Sequence, residues 1–227
     1  MKKNSMLLVS IILVGVIVVF AIVTVARGGL IPDKLQPVIS NTATPEKIQA
    51  SADWVSSAVT IDELVLETDL VVRVRVLAAP VTRVLRHEIP VWDENNTIVG
   101  TTISETLFSD TVFEVIKTYQ GEPRLNIAVM QTGGYDPAVS DKIVEVVDDP
   151  FYNIGEEYIL FLVDISGDSV QAPDRELYRI VNPYGRIRIE GEPIFSYGEN
   201  PADQLSSISS VNDLEVQIER LVRELDK

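Results

Sequence analysis

The residue types in this chain that could do chemistry are mostly carboxylates. Asp136, Asp141, Asp148, Asp149, Glu156 and Glu157 concentrate acids in loop-forming stretches after Gly133-Gly134. Calcium takes about six to eight oxygen ligands, which loop carboxylates and nearby carbonyls can supply. Asp136, Asp148, Asp149 and Glu156 are therefore the candidate calcium ligands. No spaced calcium-loop motif accompanies them, and Asp148-Asp149-Pro150 reads equally well as the end of a strand. Two carboxylates facing each other across a bond also serve glycoside hydrolysis. With 34 acidic residues in the chain, some such pair is expected by chance. His87 is the one histidine, set between Arg86 and Glu88, and cysteine is absent. That excludes disulfides, thiolate nucleophiles and multi-histidine zinc sites, and no catalytic motif is assembled. Trp92 and Tyr135, in or beside predicted loops, are the candidates for an exposed aromatic contact surface. Asn95-Asn96-Thr97 is an acceptor pattern for N-glycosylation at a predicted hairpin tip.

The chain has 227 residues, enough for one or two domains. Its 19 basic residues stand against 34 acidic ones, a net charge of -15. Nucleic acid is thereby excluded as a partner, because binding a polyanion requires a basic stripe that releases counterions.

The elements that must carry these residues are mainly strands. Thr44-Pro45-Glu46-Lys47 has the form of a helix start and predicts a short helix to about Ser57, with Ile48 and Trp54 turned to the body. Thr60-Ile61-Asp62-Glu63 is a capping box that opens a second short helix ending near Glu67. Period-2 patterning follows. Leu70–Val76 alternates Val with Arg, as suits a strand with one wet face. Residues 81–92 and 97–108 flank Asp93-Glu94-Asn95-Asn96 as a long hairpin. Further strands fall at 111–119, 125–131, where Gly133-Gly134 ends the run, and 143–147. Tyr158–Val163 is a continuous apolar run, the pattern of a strand buried on both faces. Asn182-Pro183-Tyr184-Gly185 has type I turn preferences and predicts a hairpin joining 177–181 to 186–189. Short strands without intervening helices predict a sandwich or small barrel and exclude a parallel α/β sheet. Ser210-Val211-Asn212-Asp213 caps a C-terminal amphipathic helix with Leu214, Ile218, Leu221, Val222 and Leu225 on one stripe. That stripe predicts packing on the barrel, with a coiled-coil seam as the alternative.

The N-terminus has the composition of a membrane segment. Residues 6–26 form 21 consecutive uncharged positions dominated by Leu, Ile and Val. Such a run spans a hydrocarbon core of ~30 Å as a helix. Lys2 and Lys3 before it, against Arg27 after it, keep the N-terminus cytoplasmic and export the rest. A cleaved signal peptide is the alternative, with Thr24-Val25-Ala26 offering small residues at the cut, though the apolar run is long for one. The exported part carries 16 basic against 34 acidic residues once Lys2, Lys3 and Arg27 are set aside. The expected organisation is a cytoplasmic tip and anchor over 1–27, a tether over 28–59, a β-domain over 60–200 and a terminal helix over 201–227.

Three stretches resemble landmarks of netrin-like modules, the domain type of the tissue inhibitors of metalloproteinases. Thr68-Asp69-Leu70-Val71-Val72 is similar to their strand opening. Phe113–Gly121 resembles their F-x-V-x-x-x-(Y/W)-K-G strand and turn, with Gln120 in place of the usual Lys. Phe151–Phe161 resembles their F-x-x-G-(E/D)-x-Y-L-(L/I)-F segment. The resemblance covers roughly residues 62–165 and implies an OB-type antiparallel β-barrel. The family's metalloproteinase inhibition depends on an N-terminal Cys that this chain lacks, so no functional residue carries over. The expectation is a membrane-anchored, extracytoplasmic, non-enzymatic module that binds an envelope protein or glycan. An envelope-acting hydrolase, a calcium-dependent protein or a self-associating surface protein are the alternatives.

Overall fold

A computed structural model describes residues 45–52, 54, 56–191, 194–196, 208, 210–225 and 227. The apolar segment 6–26, the start of the tether and most of 197–209 lie outside them. Among the described residues no helix is long and apolar enough to cross a membrane.

The chain is mainly β. It runs through β1 (Lys47–Ala50), α1 (Ile61–Leu66), β2 (Leu70–Val76), β3 (Val81–Trp92), β4 (Ile98–Gln120), β5 (Asn126–Gly134) and β6 (Ile143–Val146). After these come β7 (Glu157–Asp164), β8 (Tyr178–Ile180), a 3-10 turn (Pro183–Gly185), β9 (Arg186–Ile189), β10 (Ile194–Ser196) and α2 (Val211–Leu225). Antiparallel pairings join β5 to β4, β4 to β2, β2 to β7 and β7 to β8. A short parallel pairing of Val129-Met130 with Tyr178-Arg179 returns β8 to β5, so the hydrogen-bonded path closes on itself.

Alternation along these strands explains the packing, since successive side chains point to opposite faces. Leu70, Val72, Val74 and Val76 of β2 turn inward with Phe113, Ile127, Val129, Tyr158, Leu160, Leu162, Tyr178 and Ile180 to make one core. The opposite face of β2 and β7 offers Val71, Ile159 and Phe161, which α1 and α2 cover through Ile61, Leu64, Val65, Leu214 and Ile218. β7 is buried on both faces, as its unbroken apolar run predicts.

Local signals place several elements directly. Thr60 Oγ1 accepts the Glu63 N–H at 3.2 Å, and Glu63 Oε2 accepts the Thr60 N–H at 3.1 Å, completing the capping box of α1. Ser210 Oγ likewise accepts the Asp213 N–H at 3.1 Å before α2. The apolar stripe of α2 is packed on the body, with Leu221 and Val222 against the same cluster as Leu214 and Ile218.

Four expectations are corrected. The separate strands expected over 97–108 and 111–119 are one strand, β4, because β3, β5 and β2 pair along it in succession. Residues 47–50 are not helical: they form β1, whose parallel pairing with β6 satisfies the backbone that a helix would have satisfied internally. Trp54 packs on the first core while Ile48 stays exposed. Gly133-Gly134 does not end β5: both glycines pair with β6. A Cβ at Gly133 would stand 2.4 Å from the Val144 carbonyl oxygen, and φ there is +106°. The close approach of two backbones requires glycine at that position. Finally, β8 and β9 do not form a hairpin together. They lie end to end along one edge of β7, β8 opposite Leu162–Asp164 and β9 opposite Glu157–Leu160. The Asn182 side chain holds the corner between them, accepting the Gly185 N–H at 3.2 Å and donating to the Ala58 carbonyl at 2.7 Å.

Charges on the wet face of β2 fasten α2. Arg73 reaches Glu157 at 2.8 Å and Glu215 at 3.1 Å, and Lys117 reaches Glu215 at 2.7 Å and Glu219 at 2.9 Å. Partial burial pushes the Glu215 carboxyl up, but Lys117, Tyr119 and Arg73 outweigh it and hold the group below its ordinary 4.5. Glu157 is held low in the same way by Arg73 and Arg75 against its burial. A carboxyl depressed in the folded state contributes stability above its unfolded value and loses it as pH falls through the folded value. The urea midpoint is therefore expected to fall as pH drops below about 4.5, and Glu215→Gln is expected to flatten that fall while lowering the midpoint near neutrality.

Candidate functional site

The four acids proposed for calcium do not meet. Among the described residues no three His, Asp or Glu side chains gather where they could hold a metal ion. Asp136 caps its own turn, accepting the Ala138 N–H at 2.8 Å. Asp148 lies next to Asp149 in sequence, but Asp149 is buried and bound inward. Glu156 is engaged by Tyr158 and by Arg188, the latter at 3.3 Å. Glu157 belongs to the Arg73 and Arg75 cluster.

Asp149 instead faces a residue the sequence reading passed over. Arg186, on β9, is fully buried and pairs with Asp149 at 2.9 Å. Its guanidinium lies 3.7 Å from the Tyr152 ring centre and 5.0 Å from that of Tyr158. Phe113, Tyr152 and Tyr158 continue as edge-to-face rings at 4.8 and 5.0 Å. Gln131 donates to Asp149 Oδ1 at 2.8 Å and to the Pro150 carbonyl at 2.9 Å, and Arg186 also donates to that carbonyl. Burial pushes the Asp149 carboxyl up, opposed by Arg186 and Gln131. Burial works against the Arg186 charge too, but Tyr152, Asp149 and Tyr158 outweigh it and keep the guanidinium protonated. Arg186-Ile187-Arg188-Ile189 alternates with both arginines on one face, a pattern that on its own sends them to solvent, so no local signal marked Arg186 as buried.

The two candidate aromatics frame a different feature. β4 continues past its last β5 partner, Phe108, so Ile98–Leu107 is held by β3 alone. The two strands project from the body as a ribbon of about 30 Å at ~3.3 Å per residue. An isolated two-stranded ribbon is marginal in water. This one is fastened at its tip, where Asp93 accepts the Asn95 N–H at 2.8 Å and the Thr97 N–H at 2.9 Å, with Asn96 at φ 59°. Those N–H groups, Thr97 first, hold the Asp93 carboxyl below its ordinary value. Midway, Arg86 Nε donates to Glu105 at 2.7 Å. Trp92, Ile98, Val99 and Ile103 are each more than half exposed on this arm. His87 lies midway along β3, and Asn95 lies exposed in the tip turn. Tyr135 is at the base of the ribbon, its N–H donating to Thr82 Oγ1 at 3.1 Å. The structure thus places Trp92 at the tip and Tyr135 at the root.

A groove of about 510 Å³ lies beside β8, lined by Val163, Ile165, Gln171, Arg179 and Val181 among others. No protein-family model matches the chain, and no curated protein or solved structure matches it either.

Removing one partner of a buried ion pair leaves the other charge uncompensated, at about 3–5 kcal/mol. Asp149→Asn is expected to lower the unfolding free energy by about that amount, read from urea titrations followed by tyrosine fluorescence.

Proposed function

We propose that this chain is a membrane-anchored, extracytoplasmic, non-enzymatic binding module: an OB-type, netrin-like barrel that presents the β3–β4 ribbon to a protein or glycan of the cell envelope. The observation that carries this reading is the ribbon itself, an arm whose outer apolar side chains, Trp92, Ile98, Val99 and Ile103, are largely exposed. Large apolar groups exposed together on a projecting element mark an interaction surface. The closed order of pairing, β2–β4–β5 with β8 and β7 completing the circuit, supports the barrel reading, as do the landmarks at 68–72, 113–121 and 151–161. The apolar run at 6–26, with Lys2 and Lys3 before it, supports the anchor and its orientation.

Binding is favoured over hydrolysis because acids of the loop cluster are taken up by cations within the fold. Asp149 is held by Arg186, Glu156 by Arg188, and Glu157 by Arg73 and Arg75. Self-association through the terminal helix is disfavoured because Leu214, Ile218, Leu221 and Val222 of its stripe already pack on the body, leaving only Leu225 half-exposed.

The ribbon can be shortened without disturbing its register. Deleting Arg86–Val91 together with Gly100–Glu105 removes residues paired with one another and keeps the tip turn. The expected outcome is a thermal midpoint within a few degrees of wild type and loss of the envelope component cross-linked by the full chain in cells. Undiminished capture by the shortened protein would sink the proposal.

A further inference from the structure

We propose that the ribbon's partner includes a second copy of this chain, docked edge to edge through β3 about a twofold axis at His87. The inference rests on the reading of the ribbon as a binding surface and specifies its occupant.

β3 pairs with β4 on one side, and among the described residues no strand takes its other edge along the ribbon. The Asp93 N–H donates to the Thr97 carbonyl, across to the β4 side, at 2.9 Å. By alternation, the odd-numbered residues of β3 turn their main-chain groups to β4, and the even-numbered ones turn theirs to the open edge. Pro90, which has no N–H, falls among the outward residues, where a proline is tolerated in a strand. A second β3 can therefore pair only with even residues opposite even ones and odd opposite odd.

Charge then selects among the permitted registers. A twofold axis at Arg86 sets arginine against arginine, and one at Glu88 sets glutamate against glutamate. An axis at His87 sets Arg86 against Glu88 of the second copy, and does so twice by symmetry. Arg86 donates to Glu105 through Nε, which leaves its terminal nitrogens for this second carboxylate. The same register puts Leu85 against Ile89 of the second copy on the other face, an apolar pair that forms twice. Val84 meets Pro90, whose carbonyl accepts although its nitrogen cannot donate, and the ladder ends there. Trp92 of the second copy falls opposite Thr82, beside Tyr135, whose N–H is held by the Thr82 hydroxyl. The tip aromatic of one chain thus meets the root aromatic of the other. Isologous pairing of this kind closes as a dimer, because each copy uses its one free β3 edge.

The chain has no cysteine, so an introduced one reports without background. His87 would sit in a closely spaced, non-hydrogen-bonded pair with Cα atoms about 4.5 Å apart, within disulfide reach. Purified full-length His87→Cys treated with copper–phenanthroline is expected to give a disulfide dimer. Leu125→Cys, also open to solvent with 86 % of its surface exposed, is expected to stay monomeric. Adding Arg86→Glu or Glu88→Arg to the His87→Cys chain sets like charges opposite each other and is expected to weaken dimer formation about tenfold. Mixing those two variants restores opposite charges at both positions and is expected to restore cross-linking. Cross-linking of His87→Cys no faster than Leu125→Cys would overturn the inference, as would a mixture that cross-links no better than its components. If the shortened ribbon loses its envelope partner while His87→Cys remains monomeric, the dimer is refuted and the binding-module reading stands. A dimer whose shortened form still captures the envelope component has the reverse meaning.

Discussion

A positive charge sealed inside a sheet constrains everything around it. Arg186 has no exposed surface, and an arginine cannot shed its proton in a protein. The fold therefore has to bring an anion and acceptors to it. β9 carries the guanidinium, the turn after β6 brings Asp149 and the Pro150 carbonyl, and β7 brings Tyr158. Gln131 from β5 holds the carboxylate from behind. Segments far apart in sequence are tied to one point, and the loop over 148–156 acquires a fixed course although it has no regular secondary structure. Well-packed apolar residues often match such pairs in stability. What the pair supplies here is uniqueness, because any alternative packing of β9 leaves a buried charge without its partner.

A second layer of charge works differently. The cluster of Arg73, Arg75, Lys117, Glu157, Glu215 and Glu219 is partly open to solvent and orients α2 over a face whose attachment is apolar. Exposed pairs of this kind add little each. Together with the ion pairs elsewhere in the fold, however, they leave most of the described lysines and arginines beside an acid. Arg179, which lines the groove beside β8, makes no ion pair among the described residues.

Much of the fold was legible where the signal is local. The Thr60–Glu63 capping box, the Val–Arg alternation of β2, the Asp93–Asn96 turn and the apolar stripe of α2 each depend on residues within a few positions of one another. The misreadings share the opposite property. Residues 47–50 become a strand because β6 lies alongside, and Gly133-Gly134 continues β5 because β6 approaches closer than a side chain allows. β8 and β9 are placed by β7 rather than by the turn between them. The candidate site divides in the same way. Trp92 and Tyr135 could be singled out as aromatics near turns. That Asp149 and Glu156 are committed to arginines far along the chain could not be read from composition or spacing.

β4 is one uninterrupted strand of 23 residues, lying in the body at one end and in the ribbon at the other. Within the arm it has a single glycine, Gly100, close to the tip. Such an arm has no hinge at its root. It behaves as a cantilever whose angle is set by the same hydrogen bonds that hold the core. A pull on the tip along the strand axis loads the pairings of β4 with β2 and β5 in shear, where many bonds must yield together rather than one after another. The projecting element is thus a strut, and a tension applied outside the domain is borne by its interior.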